Sequence, residues 1–89
     1  MKTLSIIVSG KVQGVFYRQS TKELAIALEL KGHVKNLPDD TVEIVVTGED
    51  EQIDKLVKWC HVGPPKAEVA DVVVSELSLQ TFDKFVIQR

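Results

Sequence analysis

Residues 3–32 read TLSIIVSGKVQGVFYRQSTKELAIALELKG, and the hydrophobic period changes within them. Over residues 3–9, Leu4, Ile6 and Val8 alternate with Thr3, Ser5 and Ser9, Ile7 being the exception. A period of two in residues of this kind marks a half-buried strand, and Gly10 stops it. Residues 19–31 are mostly good helix formers. Leu24, Ala27 and Leu28 fall at i, i+3, i+4 on a face shared with Thr21, and Gly32 stands where a glycine commonly ends a helix. A strand, a glycine-bearing loop and a helix form the opening of a βαβ unit.

The rest of the chain continues the pattern. Residues 33–37 and 41–47 read as a hairpin turned by Leu37-Pro38-Asp39-Asp40, where proline fixes φ and aspartate tolerates turn geometry. Val42, Ile44 and Val46 are its inward row. Residues 50–62 are a second helix, with Ile53, Leu56, Val57 and Cys60 on one stripe. Glu51 to Lys55 and Asp54 to Lys58 are i,i+4 pairs in the favourable order. Acidic residues open this helix and Gly63-Pro64-Pro65 closes it. Residues 67–75 are a valine-rich strand, and 83–88 a short last one with Phe85 and Ile87 on one face. Right-handed crossovers between parallel strands put both helices on the same side of a sheet. The order predicts an α+β fold: a ferredoxin-like split βαβ (βαββαβ) sandwich with an antiparallel sheet, two helices on one face and a short extra C-terminal strand. That architecture hosts many unrelated activities, so function has to come from a site.

Composition narrows the classes. The chain has 89 residues, which leaves room for one core and predicts a single domain over 1–89. Hydrophobic residues make up 44% and charged residues 27%, values that argue against disorder. A net charge of -2 without a basic stripe argues against nucleic acid as a partner. A single cysteine excludes an internal disulfide. Apolar runs such as Val72-Val73-Val74 are too short to span a membrane. The first residues lack a signal-peptide pattern, so the expectation is a cytoplasmic monomer with no membrane partner.

Chemistry concentrates between the first strand and the first helix, in Gly10-Lys11-Val12-Gln13-Gly14-Val15-Phe16-Tyr17-Arg18. Two glycines four apart allow a tight backbone that a ligand can approach closely. The loop runs into a helix N-terminus, where unpaired N–H groups and the positive end of the dipole suit an anion. Arg18 can grip a phosphate with two parallel hydrogen bonds. There is no Gly-Lys-Ser/Thr ending, so this is not a Walker loop. Spacing alone leaves two readings open: an oxyanion cradle, or an ordinary turn followed by a solvated arginine.

Gly10-x-Val12-Gln13-Gly14-Val15-x-Tyr17-Arg18 resembles the signature loop of the acylphosphatases, Gly-x-Val-Gln-Gly-Val-x-Phe-Arg. Gly32-His33-Val34-Lys35-Asn36, followed by Val42 and Gly48, is similar to that family's second conserved strand. Gly63-Pro64-Pro65-x-Ala67-x-Val69 and the Phe85-x-Ile87 ending are similar as well, so the resemblance covers the whole chain. Departures are Tyr17 for the usual Phe or Met, His33 for an aromatic, Asp40 for a turn glycine, and Gln88 where an arginine is often found. The resemblance implies hydrolysis of acyl phosphates to carboxylate and inorganic phosphate. It implies that Arg18 and the loop N–H groups of Gln13, Gly14, Val15, Phe16, Tyr17 and Arg18 bind the phosphoryl oxygens. Asn36 is implied to orient the attacking water.

This chemistry is compatible with few groups. An acyl phosphate carries a good leaving group, and phosphoryl transfer needs mainly positioning and charge stabilisation. No cofactor is expected. No metal site is expected either, since His33 and His61 lack ligand spacing. The identity of the base is left open, the substrate's own phosphate oxygens being one candidate. Competing readings remain: a surface salt bridge for Arg18, and a simple turn role for Asn36 ahead of Pro38. Lys11 and Lys35 either steer an anion or are solvated. His33 and His61 read as surface residues, Cys60 as core and Trp59 as its border. For the whole chain the rivals are a non-catalytic anion-binding module and an RNA-binding sheet; the latter lacks stacked aromatics on its central strands.

Overall fold

The computed structural model describes residues 1–89. Strand β1 spans Lys2–Lys11, and its predicted inward row of Leu4, Ile6 and Val8 is buried. Helix α1 (Tyr17–Ala27), β2 (Lys31–Asn36), β3 (Val42–Gly48), helix α2 (Asp50–Cys60), β4 (Glu68–Leu77) and β5 (Phe85–Ile87) follow. The sheet order is β4-β1-β3-β2-β5. β1 is antiparallel to β3 and β4, and β2 is antiparallel to β3. β1 and β2 therefore run parallel with β3 between them, as a split βαβ requires. The short β5 adds parallel to β2, which makes the sheet mixed. Ile53, Leu56 and Cys60 of α2 share one core with the β1 row, with Val42, Ile44 and Val46, and with Tyr17 and Ala25 of α1. No helix is long and apolar enough to cross a membrane.

Helix α1 differs from its expected bounds at both ends. It starts at Tyr17, because the Ser20 N–H already donates to the Phe16 carbonyl at 3.0 Å. It ends before Gly32. The Leu30 N–H donates to Ala25 O at 2.8 Å and the Glu29 N–H to Ile26 O at 3.0 Å, a Schellman closure. Glu29, not a glycine, takes the left-handed turn at φ 60. Burial of Leu30 decides this, since the leucine is 3% exposed and draws the chain back onto the core. The inward face shifts accordingly: Tyr17, Thr21 and Ala25 are buried, and Ala27 is exposed. Gly32 serves the sheet instead. At φ 146 it lets β2 approach β3, where a Cβ would lie 1.9 Å from the Val45 carbonyl oxygen.

Neither predicted helical charge pair of α2 closes; the ion pairs formed are Lys2–Asp54 at 3.9 Å and Lys35–Glu43 at 3.6 Å. Exposed i,i+4 pairs are worth little against side-chain entropy. The valine-rich β4 is an edge strand, with Val73 and Val74 largely exposed. The Asp71 carboxylate accepts the Val72 N–H at 2.9 Å, removing one donor that an edge would offer to another strand.

The chain reaches β5 by crossing the outer face of the sheet. Thr47 donates to Gln80 O at 2.9 Å, the Gln80 N–H donates to Thr3 Oγ1 at 2.9 Å, and the two threonine hydroxyls meet at 2.6 Å. Every polar atom of that buried contact has a partner. Phe82 of the same crossing stands edge-on to His33, ring centroids 5.8 Å apart. This contact half-buries His33, and burial lowers its pKa below the ordinary imidazole value; Lys35 adds to the effect and Glu43 opposes it.

Two consequences are measurable. Gly32→Ala should lose roughly 2–4 kcal/mol in urea unfolding, while Glu29→Gly, which relieves the left-handed residue, should gain up to about 1 kcal/mol. For His33 the unfolded chain binds more protons than the fold below the ordinary histidine pKa, so its contribution to stability is present above about pH 6.5 and is lost as pH falls. His33→Gln should flatten the loss of unfolding midpoint between pH 7.5 and 5.5.

Candidate active site

At the end of β1 the chain must leave the sheet while β4 continues beside it. The register between these strands shifts at Ser9/Gly10, and Gly10 sits at φ 115. A Cβ there would meet the Glu68 carbonyl oxygen at 2.2 Å, so no larger residue makes the exit. The Val12 N–H then closes a three-residue turn onto the Gly10 carbonyl at 3.1 Å.

From Gln13 through Gln19 no backbone N–H donates to a backbone carbonyl. Helix α1 also has no side-chain cap and no acidic residue in its first turn. A helix normally satisfies its first N–H groups by such means. Here the donors stay free, and the positive end of the dipole is unopposed. Phe16 holds the turn at φ 66, ψ 20, a conformation unfavourable for a bulky residue.

The hairpin is fastened to this loop by Gln13. Its Nε2 donates to Leu37 O at 3.0 Å and to Thr41 O at 2.9 Å. Asn36, one residue before Leu37, is thereby held opposite the loop. Asn36 does not build the turn; the Leu37 N–H donates to Thr41 O at 2.9 Å, and Asp39 accepts from both the N–H and the hydroxyl of Thr41. These bonds hold the Asp39 carboxyl below its ordinary pKa. Asn36 Oδ1 is buried and has no hydrogen-bond partner, an arrangement that asks for a ligand or a water to donate to it.

A cavity of about 410 Å³ lies between these parts, lined by Val12, Gly14, Phe16, Tyr17, Arg18, Gln19, Asn36, Ile87 and Arg89. Arg18 and Asn36, eighteen positions apart in sequence, line the same space. Arg18 has no carboxylate within ion-pair reach, so its charge is available. Of the remaining loop residues singled out from sequence, Gly14, Phe16 and Tyr17 line the cavity. Gln13 and Val15 do not; Gln13 ties the hairpin, and Val15 is buried in the core. Lys11 and Lys35 stay outside the lining, Lys35 paired with Glu43.

Sequence reasoning missed Ile87 and Arg89. The signal was present, since Phe85, Ile87 and Arg89 alternate on one side of the last strand and its continuation. The Gln88 N–H donates to Val34 O at 2.9 Å and holds this run beside β2. The expected C-terminal arginine thus appears one place later than position 88.

Tyr17 is more than a ring of similar size to Phe. It is 1% exposed, and its hydroxyl donates to Cys60 O at 2.8 Å, satisfying a carbonyl at the end of α2. Its ring lies 5.2 Å from that of Trp59. Burial pushes the Tyr17 phenol up and the Cys60 thiol up to about 12, so neither is ionised near neutrality. Together they seat the first turn of α1, and with it Arg18, on α2.

The acylphosphatase family model matches residues 4–87. An acylphosphatase of Acaryochloris marina is 52% identical over 86 residues, covering 97% of this chain and 92% of that one. The crystal structure of acylphosphatase from Bacillus subtilis superposes with a TM-score of 0.96 at 36% identity, over 100% of both chains. An acylphosphatase structure from Coxiella burnetii gives 0.95 at 40% identity, over 98% of this chain and 92% of that one.

Removing the Tyr17 hydroxyl should leave the Cys60 carbonyl without its partner. Tyr17→Phe is expected to cost about 1–2 kcal/mol, read as a lower urea midpoint with an unchanged m-value.

Proposed function

The chain belongs to the acylphosphatase family, enzymes that hydrolyse the carboxyl–phosphate bond of acyl phosphates, and we propose that the cavity shared by Arg18 and Asn36 is where it does so. The observation that carries this reading is the run of free N–H donors from Gln13 to Gln19 beside an unpaired Arg18. A dianionic phosphoryl group in the cavity draws on the donors of the lining residues Gly14, Phe16, Tyr17, Arg18 and Gln19 and on that charge together. Arg89 adds a second positive charge to the lining.

Asn36 then holds the attacking water, which donates one hydrogen bond to the otherwise unpartnered Oδ1. The water oxygen forms a new bond to phosphorus while the bridging P–O bond breaks. The electron pair of that bond leaves on the carboxylate. No Asp, Glu, His or Cys side chain lines the cavity, and the Tyr17 phenol is engaged with Cys60, so the water's proton passes to the substrate's own phosphoryl oxygens. In a loose transition state, positioning and charge stabilisation are the larger contributions, and the nucleophile needs little activation. The lining holds no Asp, Glu, His or Cys side chain, the usual ligands of a catalytic metal. That lining supports metal-independent action on small acyl phosphates, and the monomeric, cytoplasmic reading of the sequence is kept.

Phosphate release from acetyl phosphate, with and without chelator, tests the assignment. Arg18→Gln should lose at least about a hundredfold in kcat/KM together with inhibition by inorganic phosphate. Asn36→Ala should lose a comparable factor in kcat and retain phosphate inhibition. Turnover by folded Arg18→Gln at the wild-type rate contradicts the assignment. Phosphate binding without turnover in the wild type would instead favour an anion-binding module.

A further inference from the structure

The phosphoryl group accounts for only part of the cavity. An acyl phosphate has a second end, the acyl group that departs as carboxylate, and the lining has an apolar part, Val12, Phe16, Tyr17 and Ile87, beside the polar Gln19 and Arg89. Phe16 is the unusual member. It is 74% exposed, whereas Tyr17 and Phe85 are buried and Trp59 and Phe82 are half-buried. Its backbone is held at φ 66, where a glycine would sit without strain. An aromatic ring kept in water on a strained backbone loses twice, once for its solvation and once for its conformation. Such a residue is explained when something apolar covers the ring. In the signature loop it occupies the unspecified position between Val15 and Tyr17, so phosphate binding does not dictate its side chain.

We propose that Phe16, with Ile87, forms an acyl-recognition wall beside the phosphoryl site, selecting acyl phosphates whose acyl group is aromatic over those with a small acyl group. This rests on the reading of the cavity as the phosphoryl site. Once the phosphoryl group lies on the free N–H groups and Arg18, the acyl group projects past the rim on which Phe16 stands. A flat apolar acyl group covers the ring; an acetyl group is too small to do so.

The test is the ratio of kcat/KM for benzoyl phosphate to that for acetyl phosphate, measured on the full chain. Both substrates present the same phosphoryl end, so a loosened loop lowers both values equally and leaves the ratio alone. Phe16→Gly, which relieves the strained φ and removes the ring, should lower the ratio about tenfold. Phe16→Tyr should restore it, and Ile87→Ala should lower it in the same direction. A ratio within twofold of wild type in Phe16→Gly overturns the acyl wall, and so does a failure of Phe16→Tyr to restore it. If wild-type acetyl phosphate turnover is normal and phosphate inhibits it competitively, such a result overturns the wall alone. If the wild type neither turns over acetyl phosphate nor binds phosphate, the reading of the cavity fails and the wall with it.

Discussion

One side-chain amide couples the two halves of the proposed active site. Gln13 Nε2 donates to both Leu37 O and Thr41 O, fastening the loop after β1 to the turn after β2. β1 and β2 are not neighbours, because β3 lies between them. The sheet fixes the two strand ends only to within the freedom of their loops, and the Gln13 bridge removes much of that freedom. Loop residues with free N–H groups and Asn36 then line a common space. Gly10 makes the bridge possible by letting the chain turn out of the sheet against β4.

The cost of function is localised at this end of the molecule. The free N–H donors of Gly14 and of Phe16 to Gln19, the unpartnered Asn36 Oδ1, Arg18 without a carboxylate and Phe16 at a left-handed φ all belong to residues that line one cavity. Each is a feature that a stable fold avoids. Elsewhere the buried polar groups are satisfied: Thr3, Thr47 and Gln80 close their own network, and Tyr17 completes the end of α2. The fold supplies stability around the cavity and leaves unmet demand inside it. Where a sequence keeps strain and unpaired donors, a bound ligand is the physical explanation.

Much of this was legible before the structure. Alternation in 3–9 and 41–47 and the stripe Ile53, Leu56, Cys60 gave the element order, because apolar period reports which face meets the core. The loop 10–18 resembled a known signature, and Arg18 and Asn36 followed from it. The ends of α1 were misread for a local reason. A glycine at 32 is a good stop signal, yet burial of Leu30 outweighed the cost of placing Glu29 in the left-handed region. Residues 67–75 read only as a valine-rich strand, and the sheet order makes that strand an edge, since composition does not encode a strand's place in the sheet.

By itself, the sequence determined the class of fold and the loop whose resemblance to a known signature implies an anion held by arginine and backbone, because these depend on residue type and short spacing. The tertiary structure alone decided that Arg18 and Asn36 share a cavity, that Arg89 and Ile87 join them, and that the Tyr17 hydroxyl seats the helix carrying Arg18. It also decided that the N–H groups of the loop remain unspent. Those outcomes turn on which carbonyls and side chains come within 3 Å or so of one another, and non-local pairing of β1, β3, β2 and β5 sets those distances. Local sequence patterns carry no information about which strand ends meet until the sheet order is fixed.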